Sequence, residues 1–268
     1  MRGNSTLMGK VTGTSSYNAI KAAFLNQFML NKPVITSFSV LVVVVTLLLV
    51  WLSTSVSFTS AVYATSFGLL AWAMIGIVSA NVCADIATRD FEKPSGLIVL
   101  SQPVERWRIL IARLSAAVLF TMVPLTVLYA SGVIAGFALY GSLMPNVFAS
   151  YGFSVLYMAS FMALIAMIST LADSRAVPLS AGITLAVVAI FVFVALEYFF
   201  GVQPWFFLPY GGMVISSIMS VPYPSSFTLT NGFTLSTPAI WEAAAIMIGY
   251  LAISLTAAVF FYSRKDVL

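Results

Sequence analysis

Six apolar stretches divide the chain, at about 34–52, 61–84, 109–139, 153–171, 177–200 and 238–262. A bilayer core about 30 Å thick takes roughly 20 residues of α-helix at about 1.5 Å each, so every one of these stretches predicts a membrane-spanning helix. Barrel strands would instead alternate apolar and polar residues over segments of about 10. The third stretch is longer than the core requires, and Pro124 near its middle predicts a kink. Gly76, Ala80 and Ala84 place small residues at helical spacing on the second span. Such a stripe permits close helix contact and is one candidate for a dimer face.

The segments between the spans differ in kind. Residues 1–14 read as a flexible tail. In 15–31, Ile20, Phe24 and Phe28 share one stripe with Asn18, Lys21 and Asn26 around it, which predicts a helix lying in the headgroup plane. Residues 85–108 hold a short apolar piece, Leu97–Leu100, fenced by Pro94 and Pro103. Proline suits a first helical turn and stops continuation, so a helix over about 95–102 is expected, too short to span. It is either a docking element for another protein or a reentrant or surface loop of no special role. Residues 201–237 are uncharged and rich in Gly, Pro and aromatics, and their apolar part, Met213–Val221, is too short to cross. This outer segment is expected to re-enter the membrane or lie on it, with its backbone satisfied by helix or by burial in protein. Asn231-Gly232 marks a turn, and Thr237-Pro238 reads as the start of the last span.

Composition narrows the class. Of 268 residues, 61% are hydrophobic and 7% charged, with a mean hydropathy of +1.04. Soluble domains carry about 25% charge, so the fold class is an all-α integral membrane protein. A net charge of +4 is too thin for nucleic-acid binding. With Cys83 as the single cysteine and no histidine, an intrachain disulfide and His-dependent triads are excluded, and a zinc or haem site is disfavoured. Neither a bound cofactor nor a metal is expected in this chain.

Charge placement orients the spans. All 12 cations fall on one set of connections: Arg2, Lys10, Lys21 and Lys32 before the first span, then Arg89, Lys93, Arg106, Arg108 and Arg113, then Arg175, then Arg264 and Lys265. The positive-inside rule then puts both termini in the cytoplasm of a multi-pass cell-membrane protein. Trp51, Tyr63, Tyr140, Tyr151, Tyr198, Trp205, Tyr210 and Trp241 read as outer-belt aromatics, and Trp107 and Tyr262 as inner ones. The first apolar run begins only at Val34 and lacks a small-x-small exit, so it reads as a retained span rather than a cleaved signal.

Few groups could do chemistry. There is no P-loop, only the fragment Met8-Gly9-Lys10. Glu197 and Glu242 are the acids of the outer half. Each sits near a helix end, as a structural group or else as part of an outer substrate gate or an ion-binding site. Asp85 reads as a cytoplasmic-edge residue, and Arg113 as a side chain snorkelling to the inner interface. With no ionisable residue at the middle of a span, an ion-coupled mechanism is weakened. A scaffold, or a subunit driven by a partner, suits such a chain better.

One segment has a family look. DFEKPSGLIVLSQPVERWRILIARL, residues 90–114, resembles the cytoplasmic segment of type-2 ATP-binding-cassette (ABC) transporter permeases of the export class. The matching positions are Glu92, Gly96, Leu97, Leu100, Pro103 and Arg106. The ending at Phe261, Arg264, Lys265 and Asp266 resembles the family's as well. The resemblance implies a permease that dimerises, as a homodimer or a heterodimer, and binds separate cytoplasmic ATPase subunits through a coupling helix near 95–102. Spans two and five would line the dimer interface, and the 201–237 segment would form the outer gate. ATP and Mg would be bound and hydrolysed in the partner, so this chain would not itself be an enzyme. The contrasting readings are a non-transporting membrane scaffold and a secondary transporter. The substrate is not legible.

Overall fold

A computed structural model describes residues 4–88, 105–228 and 234–264. The chain forms a helical bundle of α1 (Asn4–Ser55), α2 (Ser60–Cys83), α3 (Arg106–Tyr140), α4 (Val147–Leu171), α5 (Ala176–Phe200), the short α6 (Leu208–Gly212) and α7 (Val214–Ser217), and α8 (Ile240–Arg264). Between α7 and α8 lies a small antiparallel ladder of β1 (Ser226–Thr228) and β2 (Thr234–Ser236), with Phe227 opposite Leu235. Among the described residues, five helical stretches are long and apolar enough to cross a membrane: Asn31–Ser55 of α1, then α2, α3, α4 and α8. Ala176–Val188 of α5 is a shorter apolar stretch. Each lies over one of the apolar runs read from the sequence.

The helix ends follow local chemistry. Gly141 and Gly201 end α3 and α5 in the left-handed conformation that glycine adopts without a Cβ penalty. α4 begins at Val147, ahead of the expected 153, because Asn146 takes a left-handed φ of 50° and turns the chain there. α8 begins at Ile240 rather than at Pro238. Glu242 accepts a hydrogen bond from the Ala239 N–H, satisfying a donor that the helix start leaves orphaned.

α1 differs from expectation. The 15–31 stretch, expected as a helix of its own, is continuous with the first span, and the helix already begins at Asn4, inside the expected tail. Ala23, Gln27, Asn31, Ile35, Val42, Thr46 and Leu49 are all buried. They recur at steps of three, four or seven, so one packed face runs on past Pro33. α3 receives part of that face. Phe24 and Phe120 rings lie 5.9 Å apart, and the Thr46 and Ser131 hydroxyls are 3.2 Å apart. Tertiary packing outweighs the one donor that an interior proline removes.

α2 is the centre of the bundle, touching α3, α4, α5 and α7. Its stripe is used inside this chain. A Cβ on Gly76 would lie 2.6 Å from Ala186 Cβ, and one on Gly182 would lie 2.6 Å from Ala80 Cβ, so α2 and α5 meet at near-backbone distance. Trp51, Trp205 and Trp241 are exposed, as a belt requires, whereas Tyr63, Tyr210 and Tyr262 are buried. Tyr63 turns inward because its hydroxyl finds the Gly132 carbonyl at 3.2 Å.

Candidate functional site

The bundle has a basic end, where Glu105–Arg108, Arg113 and Arg175 lie, and a far end, which holds residues 201–228 and 234–239. Each end carries a polar construction.

At the basic end, α2 stops at Cys83 and the chain turns through 84–88, all of it buried. A helix terminus leaves its last carbonyls without intrahelical donors, and here two other helices supply what is missing. Ser169 of α4 donates to the Ala84 carbonyl at 3.1 Å and accepts from the Ala87 and Thr88 N–H groups at 3.1 and 3.4 Å. Arg113 of α3 donates from Nη1 to the Ile86 carbonyl at 3.0 Å. Asp85 and Arg113 are only 7% and 5% exposed. Asp85 lies in the turn just past the end of α2, where it was expected, but is buried there; the expectation of a snorkelling arginine is corrected, since Arg113 is buried and directs Nη1 to the turn.

The candidate coupling segment leaves from this turn. Glu92, Gly96, Leu97, Leu100 and Pro103 lie outside the described residues. Arg106 is the first residue of α3 and is half-buried. Beside it, Glu105 and Arg108 form an ion pair at 2.7 Å, and the Arg108 guanidinium lies 5.3 Å from the centre of the Trp107 ring. The chain therefore re-enters the bundle through an aromatic and charged step, within two turns of Arg113.

At the far end, residues 208–219 are buried throughout. Short helices leave many backbone groups to outside partners; neighbours supply two donors, and the segment in turn donates one bond to α2. Ser150 Oγ donates to the Ile215 carbonyl at 2.7 Å, Asn146 Nδ2 donates to that of Ile218 at 3.0 Å, and Ser216 Oγ donates to that of Thr65 at 2.7 Å. The segment is thus a plug seated among α2, α4 and α8. Glycines make room for it: a Cβ on Gly212 would strike the Trp72 indole.

Glu197 and Glu242 both serve this plug and its cover. Glu197 Oε1 accepts from the Ser236 N–H at 2.7 Å, tying β2 to the end of α5, while Glu242 Oε2 holds Ala239 at 3.1 Å. Both carboxylates face Tyr210. Burial raises the Tyr210 phenol above its usual range, and the two negative charges add to that. Tyr223, which donates to the Pro238 carbonyl at 2.5 Å, is pushed up to about 12 by burial first, with Tyr210 and Glu242 adding.

A pH test follows from those two phenols. The folded state holds the Tyr223 proton more tightly than the unfolded state, whose phenol titrates near 10. Stability from this group is therefore complete below pH 10 and is lost as pH rises toward 12. Thermal unfolding followed from neutral to alkaline pH should show a drop that begins near pH 10, in step with tyrosinate absorbance. Tyr223→Phe should be less stable at neutral pH and lose less of its stability across that window.

Sequence reading missed Ser169, Ser150, Asn146 and Ser216. A hydroxyl or amide in an apolar helix either bonds back to its own helix, as Thr36 and Ser39 do, or reaches across to a neighbour, and the residue type alone does not say which. No curated protein matches the chain. The family model described as ABC-2 family transporter protein matches residues 54–267.

Proposed function

The chain belongs to the ABC-2 family of transporter proteins, a multi-pass membrane permease of an ABC transporter, and we propose that it is the membrane half of an ATP-driven exporter. Two copies, or this chain and a close relative, pair across the membrane. Each binds a separate cytoplasmic ATPase through the 92–106 segment, with Glu92, Gly96, Leu97, Leu100, Pro103 and Arg106 as the docking positions. Nucleotide and Mg are held by the ATPase. α5 completes a set of six spans, both termini lie in the cytoplasm with the basic end, and the 208–219 plug re-enters from outside as the gate over which Glu197 and Glu242 stand.

The observation that carries this reading is the family match across residues 54–267, which includes the charged segment between α2 and α3. The anchored turn at 84–88 supports it, since a docking element transmits force only from a fixed base. The absence of a P-loop in the sequence agrees with a partner that supplies the energy.

The test is capture of the tagged chain from native membranes in mild detergent, with mass spectrometry and an ATP hydrolysis assay of what comes with it. A co-purifying P-loop ATPase with hydrolytic activity is the expected result. Recovery of the chain without one would turn the reading toward a scaffold or a gradient-driven transporter.

A further inference from the structure

We infer that Ser169 and Arg113 are positioning residues for energy transfer, making α2, α3 and α4 move as one block when the 89–104 segment is pushed. The inference rests on the proposed function and adds to it where the stroke goes after it enters the permease.

The turn 84–88 is the base from which that segment leaves. If α2 alone held it, a push would be absorbed by fraying, because the last turn of a helix has no intrahelical donors of its own for its carbonyls. Instead, three of its polar groups are engaged by one side chain of α4. Ser169 bonds the Ala84 carbonyl and the Ala87 and Thr88 amides at 3.1, 3.1 and 3.4 Å. A fourth, the Ile86 carbonyl, is engaged by Arg113 of α3 at 3.0 Å. Ser169 is fully buried and Arg113 is 5% exposed, so water does not compete for these bonds, and a bond of this kind is stronger in a low-dielectric interior. Arg113 also lies two turns above Arg106, where the segment rejoins the bundle at the start of α3. The described residues on either side of 89–104, the turn 84–88 and the first turns of α3, are thereby joined through Arg113.

The far side of the block is equally connected. α4 carries Ser150, which holds the Ile215 carbonyl at 2.7 Å, and α2 receives the plug at Thr65, whose carbonyl accepts from Ser216 at 2.7 Å. Displacement of α2 and α4 together would carry the plug. Displacement of α2 against α4 would break bonds at both ends. The clamp at Ser169 selects the first motion.

The experiment uses the permease captured with its ATPase in lipid nanodiscs and reads hydrogen exchange with and without ATP and vanadate. In the unmodified complex, trapping should change exchange both at 89–104 and at 208–219. In Ser169→Ala and Arg113→Gln, the amount of ATPase bound and the change at 89–104 should persist, while the change at 208–219 falls at least about threefold. Ser169→Thr, which keeps the hydroxyl, should restore it and guards against general misfolding. An undiminished response at 208–219 in both loss variants would overturn the inference. No ATPase, or no response at 89–104 in the unmodified complex, would instead overturn the proposed function on which it rests.

Discussion

Gly68→Val should unseat the plug and cost on the order of 3 kcal/mol or more. A Cβ at Gly68 would lie 2.5 Å from Ser216 Cα, 3.0 Å from its Cβ and 3.1 Å from the Ile215 carbonyl oxygen. Two of these atoms are backbone, so no rotamer change relieves the overlap. The displaced strand of chain would take with it the Ser216–Thr65 and Ser150–Ile215 bonds, each 2.7 Å long. The Ile215 carbonyl would then lose the Ser150 donor in a membrane setting with no water to replace it, while the Thr65 carbonyl keeps its place in the α2 ladder. The expected readout is a sharp fall in monodisperse protein after extraction and an early thermal transition. Gly152→Ala is the control. A Cβ there meets nothing within 4 Å, and alanine favours helix over glycine by about 1 kcal/mol. A Gly68→Val protein as stable as the control would show that the plug does not seat on α2.

The second large effect concerns assembly rather than stability. Gly96→Trp, in the middle of the proposed docking segment, should reduce captured ATPase by about 30-fold or more, the scale of losing one interface hot spot. Arg106→Glu should act in the same direction by reversing charge at the segment's return. Both variants should still be recovered as monodisperse permease with a thermal transition close to that of the unmodified chain, which separates lost docking from misfolding. If ATPase capture and hydrolysis were unchanged in both, the segment would not be the docking element.

What the sequence revealed about this protein follows from the length scale of each signal. A span is a run of some 20 apolar residues, and no other structure explains such a run. α2, α3 and α8 accordingly begin and end within a few residues of the apolar stretches. The plug was legible in outline, since an uncharged segment too short to cross must hide its backbone somewhere. Its partners were not, because Ser150, Asn146 and Ser216 are separated from the groups they bond by 65, 72 and 151 positions. α1 was misjudged at its boundary for a related reason. Pro33 and the polar residues around it are local signals of a break, while the packed face that continues from Ala23 to Leu49 exists only once α3 is in place. Arg113 shows the same limit. Charge and position alone suggest an excursion to the interface, and the Ile86 carbonyl that retains it lies 27 positions away.

The seam between α2 and α5 has a consequence in genetic terms. Gly76 faces Ala186 and Ala80 faces Gly182, each glycine opposed by an alanine at a distance that leaves no room for a second methyl group. The four positions therefore hold a fixed sum of volume rather than four fixed residues. An enlargement at Gly76 is tolerated only with a reduction at Ala186, and one at Gly182 only with a reduction at Ala80 and a shift of the Ile165 Cδ1 that lies 2.8 Å from the same Cβ, so a lesion at Gly76 should find its suppressor on the other helix rather than on its own.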